Sequence, residues 1–429
     1  MRLGVIADDF TGAVDIAGFL AKEGLKTFLC FDAGRPIGDL QGDAVVVCLK
    51  IRSCPVDEAV SLALSALTLL RNAGCTVYYY KYCSTFDCTP QGNIGQVCDA
   101  LRQALACPTT LVCPALPVNG RTVYNGYLFV KDLLLSESPM RFHPVNPMWE
   151  SRIERILSTQ TSGVCRNLPL SVVRAGPSAV EAFIAGALSD GVAYVIPDVI
   201  EDADLDVLAQ ACESLPLLTG GSGLGGALAR RYPSSVPSSD DGAAPVSLPR
   251  KLPDGVILSG SCSVATNMQV RTYLPKAQSV AVDVFRLMDD LGTYVTEIAD
   301  WVCRHQTQGA YPLVYSTCDA EARGIVTDIH GKASVAEAVE KFFALLAVAL
   351  DMRGVGTFII AGGETSSAVV QALRLSPSTV LDEINPGVSW IMDAEERHYL
   401  ALKSGNFGNE DFFIHAQEVL ALVWQGVVV

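Results

Sequence analysis

Basic residues are the first shortage in this chain: 31 Lys and Arg stand against 46 Asp and Glu in 429 residues, a formal net charge of -15. A protein that grips nucleic acid needs basic surface to neutralise phosphates, and an anionic membrane asks for the same, so neither is expected as a partner. Long apolar runs are missing too. The densest, Phe342 to Leu350, has nine residues where about 18–20 are needed to span a bilayer, and it reads as a buried helix. The opening MRLGVIADDF has no apolar signal core, since two Asp follow at once. Histidine is sparse and dispersed, with five in the chain. The 14 Cys include no Cys-x-x-Cys pair, and the nearest spacing, Cys83 to Cys88, has no matching His partner. Neither a structural zinc site nor a disulfide scaffold is therefore expected. Reduced, buried thiols in a cytoplasmic protein are.

What is present is apolar and α/β in rhythm. Half of the residues are hydrophobic and 18% are charged, which supports a large core and excludes wholesale disorder. The length exceeds what one core usually holds, so two domains are expected. In the first half, short β-branched runs (2–7, 44–49, 77–81, 109–113, 171–174, 193–197) alternate with helical patterns at 11–23, 56–71, 94–105, 179–188 and 203–213, the signature of a parallel sheet. Residues 232–250, YPSSVPSSDDGAAPVSLPR, hold five Ser, four Pro and hardly any large apolar group, which predicts a linker. A second α/β unit follows, with strands at 255–259, 279–284, 313–316 and 357–361. Its helices are expected near 264–273, 291–306, 333–352, 365–374 and 410–424. The predicted division is thus 1–231, linker 232–250, and 251–429, with mainly parallel sheets in both domains.

Polar groups collect where predicted strands end. Asp8 and Asp9, in ADDFTGA, follow the first strand, and ligands of open α/β sheets bind at such ends. Capping of the next helix by Asp9 or Thr11 accounts for one of the carboxylates but not both. An Asp-nucleophile phosphatase would need Asp-x-Asp, with both carboxylates on one side of the strand, whereas adjacent ones point apart. Arg52 follows the strand ending at Leu49. Lys81, Ser84 and Thr85, in KYCSTF, follow the next, and Lys, hydroxyls and backbone N–H groups there suit a carboxylate or phosphate; ordinary turn chemistry is the other reading. Arg121 lies in PALPVNGRT after a fourth strand. In the second half, Ser259 and Ser261 in SGSCS, and Gly362, Gly363, Glu364 and Thr365 in AGGETS, each lead from strand to helix. Adjacent Gly let N–H groups approach phosphate oxygens at a helix start, although plain helix initiation explains each loop alone. Neither matches the P-loop or the dinucleotide fingerprint. Lys403 and Gly405, in LKSGNFG, form a third loop; a lone Lys there is usually a surface residue, and only the company of two other Gly-rich loops makes it a nucleotide contact.

Six of these segments, in this order, resemble the four-carbon acid sugar kinase family: ADDFTGAVD (7–15), KYCSTF (81–86), PALPVNGRT (114–122), SGSCS (259–263), AGGETS (361–366) and LKSGNFG (402–408). The resemblance spans both halves. The form STFDCTPQGN at 84–93, and GGET rather than GGDT at 362–365, resemble its 3-oxo-tetronate kinase branch. It implies an N-terminal domain for the acid sugar, a C-terminal domain for ATP, chemistry in the cleft between them, and Mg²⁺ with the nucleotide. The implied substrate contacts are Asp8, Asp9, Arg52, Lys81, Ser84 and Thr85, with Arg121 counted beside them, and Asp9 is assigned as base. The implied nucleotide contacts are Ser259, Ser261, Gly362 through Thr365, and Gly405. D-threonate and D-erythronate remain as alternative acceptors, and a non-catalytic acid-sugar-binding protein remains as an alternative class. Metal ligands and assembly are left open, a homodimer included.

Overall fold

The computed structural model describes residues 2–34, 40–142, 146–232, 252–306, 309–317 and 332–424. The chain separates into two compact units, Met1–Ser238 and Ser239–Val429. Apart from Tyr232, the predicted linker 232–250 lies outside the described residues.

In the first unit the β-branched runs become β1 (Leu3–Ala7), β2 (Thr27–Cys30), β3 (Ala44–Cys48), β4 (Val77–Lys81) and β5 (Thr110–Cys113). A small antiparallel sheet interrupts the pattern with β6 (Arg121–Tyr124), β7 (Tyr127–Val130) and β8 (Leu133–Leu134). The main sheet resumes with β9 (Val164–Leu168), β10 (Val192–Pro197) and β11 (Leu217–Gly220). Its order is β2-β3-β1-β4-β11-β5-β10-β9, and every pairing is parallel. Strands of such a sheet are covered on both faces and read as continuous apolar runs, as Leu3–Ala7 and Ala44–Cys48 do; all ten residues are buried. The chain runs outward from β1 to β2, returns to β3 at its side, and then crosses to β4 on the other flank. This reversal makes the carboxyl end of β1 a topological switch point, where an open sheet parts to admit a ligand.

The second unit contains β12 (Asp254–Ser259), β13 (Ser279–Ala281), β14 (Leu313–Tyr315), β15 (Val355–Ala361), β16 (Ser378–Asn385), β17 (Val388–Asp393) and β18 (Tyr399–Lys403). Its order is β13-β14-β12-β15-β18-β17-β16, with antiparallel pairing only between β18 and β17 and between β17 and β16. The switch point recurs at β12, between β14 and β15. Trp390 anchors the core of this unit, fully buried, its indole N–H donating to Ala416 O at 2.8 Å.

One reading is corrected. Residues 171–174 are not a strand: Leu170–Val173 forms a helical turn entered through Pro169, whose carbonyl accepts from Val172 N and Val173 N. The strand of that region is β9, a few residues earlier. The antiparallel β16–β18, together with β2, β6–β8 and β11, were not anticipated.

Candidate active site

The first constellation sits at the switch point of the first unit. Asp9 is the N-cap of the helix Phe10–Lys22, with extended backbone, and its Oδ1 accepts from Gly12 N at 2.6 Å. Its Oδ2 accepts from the Thr11 hydroxyl at 3.1 Å and lies 2.8 Å from Arg52 Nη1. The capping reading therefore holds for one oxygen of Asp9, while the other belongs to a charge cluster. Asp8, one residue earlier, points elsewhere and is 2% exposed. Arg52 grips it with both sides of the fork, Nε to Oδ2 at 2.9 Å and Nη2 to Oδ1 at 2.8 Å. Burial pushes the Asp8 carboxyl up, against the pull of that guanidinium. Arg52 is positioned by backbone: its N–H and that of Ile51 both donate to Asp8 O. Asn93 braces this loop from the β4 side, donating to Ile51 O at 2.6 Å and Cys54 O at 3.1 Å.

Lys81 closes β4 and is 2% exposed. Its Nζ donates to Tyr82 O at 3.1 Å and lies 3.6 Å from Asp15 Oδ2. Thr85 is turned into its own loop, donating to Asp87 Oδ1 at 2.6 Å. Ser84 is half-buried and faces the β11 loop, its Cβ 3.6 Å from where a Gly221 side chain would start. Arg121 does not join these groups in any described contact. It begins β6, and its guanidinium folds back to donate to Asn119 O.

The structure adds two residues that the sequence reading passed over. Asp15 lies nearly two helical turns beyond the cap, and its Oδ2 accepts from the Ser222 hydroxyl. Burial pushes its carboxyl up, opposed by Lys81 and Ser222. Ser222 opens the helix Ser222–Ala229, every residue of which is buried. The available signal was Thr219–Gly226, TGGSGLGG, with five Gly in eight residues at a strand-to-helix junction.

The second constellation occupies the same place in the second unit. Ser259 ends β12, fully buried, and its hydroxyl meets Thr317 Oγ1 at 2.6 Å. Ser261 follows, and Ser263 caps the helix Val264–Tyr273 by accepting from Thr266 N at 3.2 Å. Gly362, at the end of β15, has φ +126 and donates to Lys403 O at 2.8 Å. A Cβ there would lie 3.2 Å from both Ser261 N and Thr365 Oγ1, and one on Gly405 would lie 2.6 Å from Ser261 Oγ. The three loops therefore approach one another as closely as glycine allows. At Gly363, the first residue of the helix Gly363–Leu373, a Cβ would meet nothing within 4 Å. Open space over a helix N-terminus edged by glycine N–H groups suits phosphate oxygens. Glu364 is exposed and Thr365 is buried beside Gly260. Lys403, expected as a nucleotide contact, is fully buried, and its ammonium donates to Thr266 Oγ1 at 3.0 Å, Ser404 O at 3.1 Å and Gly405 O at 3.0 Å.

Among the described residues, no three His, Cys, Asp or Glu side chains gather in a metal-binding group. No described helix is long and apolar enough to cross a membrane, and the thirteen described Cys are all free thiols.

Comparison with known proteins assigns these two regions. The model of a sugar-binding N-terminal domain matches residues 3–228, and that of a nucleotide-binding C-terminal domain matches 256–413. The chain is 45% identical over 425 residues to a 3-oxo-tetronate kinase of Brucella melitensis, covering 98% of this chain and 96% of the relative. It is 44% identical over 391 residues to that of Escherichia coli, covering 90% and 99%. A crystal structure of a Haemophilus influenzae protein superposes with a TM-score of 0.77 at 43% identity, covering 97% of this chain and 99% of that one. Another, from Salmonella typhimurium and described as a tRNA synthase, gives 0.84 at 41%, covering 97% and 98%. The chain belongs to the four-carbon acid sugar kinase family, phosphotransferases whose acceptor is an alcohol group.

Proposed function

We propose that the chain transfers the γ-phosphoryl group of ATP to the terminal 4-hydroxyl of 3-oxo-tetronate, giving 3-oxo-tetronate 4-phosphate and ADP. The observation that carries this reading is the Asp8–Arg52–Asp9 cluster at the switch point of the region matched as sugar-binding. The name shared by the relatives supports the choice of acceptor.

The roles follow from the geometry. Arg52 donates two N–H groups to Asp8 and holds Nη1 2.8 Å from Asp9 Oδ2. Its other N–H groups, which make no hydrogen bond among the described residues, receive the substrate carboxylate. Lys81, at the neighbouring strand end, adds positive charge to that subsite. Asp9 is the less buried of the two carboxylates, its side chain 19% exposed against 2% for Asp8, so Asp9 orients the 4-hydroxyl and accepts its proton. The hydroxyl oxygen attacks the γ-phosphorus, the bond to the β,γ-bridging oxygen breaks, and ADP departs with that electron pair. The N–H groups about Gly362, Gly363 and Gly405, with Ser259 and Ser261, hold the phosphates, and Lys403 acts behind them. Mg²⁺ bound with the nucleotide would neutralise charge on the phosphates that these loops hold, a role that asks few protein carboxylates of the site. Free thiols in both units favour a reducing, cytoplasmic setting.

Asp9→Asn tests the base assignment. The amide keeps an acceptor for Gly12 N–H but cannot take a proton, so kcat is expected to fall by about 10²-fold or more with an unchanged thermal midpoint. Near wild-type turnover in a folded variant removes the assignment.

A further inference from the structure

The buried ammonium of Lys403 has no carboxylate partner among the described residues, and nothing in the proposed chemistry uses it directly. Two of its three acceptors, Ser404 O and Gly405 O, lie in its own loop, and the third, Thr266 Oγ1, lies in the first turn of the helix Val264–Tyr273. One of them, the carbonyl oxygen of Gly405, is also met by the hydroxyls of Ser263 and of Thr266, the latter at 2.8 Å. Three donors thus converge on a single peptide oxygen.

We propose that Lys403 is a positioning residue for the nucleotide: with Ser263 and Thr266 it holds the Gly405 carbonyl inward, and so turns the Asn406 N–H outward as a donor to a phosphate oxygen. The step from one atom to the other is peptide geometry. The Gly405–Asn406 bond is trans, like every described peptide bond here, so its C=O and N–H point in opposite directions. Asn406 is exposed, and its N–H has no acceptor among the described backbone contacts. The peptide is also the central one of a turn, closed by Phe407 N donating to Ser404 O at 3.2 Å. The central peptide of a β-turn has two common orientations, and the flipped one asks for positive φ at the third position. Asn406 occupies that position and is not among the residues with positive φ.

Burial pushes the Lys403 ammonium down to about 7, so keeping a lysine here is costly. A methionine of similar length would fill the space without that cost. The ammonium adds three N–H donors, each matched to an oxygen, and through the Gly405 peptide their effect reaches the cradle. The inference rests on the reading that the second unit binds ATP.

Steady-state kinetics of the full-length protein with each substrate varied, together with equilibrium binding of ATP and of adenosine, tests both. Lys403→Met is expected to raise the KM for ATP about tenfold and to leave the KM for the acid sugar within twofold, the weight of one charge-assisted contact. Adenosine, which lacks phosphates, is expected to bind wild type and variant alike. Asn406→Pro removes the proposed donor and, because proline disfavours helical backbone at the residue before it, also disturbs the Gly405 carbonyl, so it is expected to reproduce the loss for ATP. A folded Lys403→Met protein with an unchanged KM for ATP, or with ATP and adenosine weakened equally, overturns the positioning role. Should Lys403→Met fail to fold, an unchanged KM for ATP in Asn406→Pro overturns it instead. A wild-type protein that shows no saturation by ATP overturns the underlying reading, and the wild-type arm reports that separately.

Discussion

Charged side chains in this molecule do their work in small, oriented groups, and what the sequence cannot show is which of them are buried. His398 is an example outside the site. It is 1% exposed, with Nδ1 2.8 Å from Asp393 Oδ2 and Nε2 2.9 Å from Asp351 Oδ1. Burial works against its charged form, but the two carboxylates outweigh it and hold its pKa above the usual 6.5. Burial also opposes ionisation of Asp393, yet the His398 ring and neighbouring N–H groups hold it below 3.8. The histidine's contribution to stability is therefore complete below pH 6.5 and is lost as pH rises through the higher folded value. The aspartate's is complete above 3.8 and is lost as pH falls through its lower folded value. Melting curves of wild type and His398→Asn should differ most at about pH 5–6 and converge toward pH 9. A gap that widens with rising pH contradicts the charged triad. Lys403 teaches the same lesson from inside the site: its place in a third Gly-rich loop suggests a direct nucleotide contact, and only three-dimensional packing shows the ammonium sealed in.

Strand-to-helix junctions were the legible elements, because the pattern is local: an apolar run, then small or polar residues, then a helical period. ADDFTGA, KYCSTF, SGSCS and AGGETS all fall at such junctions. The β2 and β11 strands, only four residues each, were harder, β11 also because its partners β4 and β5 lie far earlier in the chain. The antiparallel β16–β18, by contrast, pair with sequence neighbours, and the signal passed over was the Asn-Pro-Gly turn at 385–387. Arg121 was placed among substrate contacts because its motif follows β5, yet the chain turns away there into the hairpin β6–β7. The helix Phe10–Lys22 carries a test of how closely its cap is built. Gly→Ala within a helix normally stabilises by about 1 kcal/mol. At Gly12, however, a Cβ would collide with Asp9 Oδ1 and lie 3.2 Å from Lys81 Nζ. Gly12→Ala is therefore expected to destabilise by about 1 kcal/mol, since the displaced Asp9 loses its cap, and to lower kcat/KM for the acid sugar. Urea titration measures the first effect, and a stabilised variant contradicts this account of the cap.

Across the molecule, the two units share a plan that no sequence repeat reveals. Each begins with the strand at its switch point, runs outward and back on one flank, and then crosses: β2-β3-β1-β4 in the first, β13-β14-β12-β15 in the second. The loops after β1 and β4 carry the carboxylates and cations; those after β12 and β15 carry the serines and glycines. One topology thus presents two chemistries, a charged one for the acid sugar and one rich in backbone N–H groups for phosphates. The acidic excess divides along similar lines. Between Glu181 and Glu213 lie eight carboxylates and no Lys or Arg, and several of them are structural. Glu201 and Asp204 form a capping box, and buried Asp198 receives Gly126 N, Asn167 Nδ2 and Leu170 N. None of these is near the β1 switch point in the strand order, so the net charge does not oppose an anionic small substrate. The most direct test is ADP release by the wild-type protein, with ATP saturating, across 3-oxo-tetronate, D-threonate and D-erythronate. ADP release that depends on the acceptor, with the highest kcat/KM for 3-oxo-tetronate, is the predicted result; no acceptor-dependent ADP release with any of the three contradicts it.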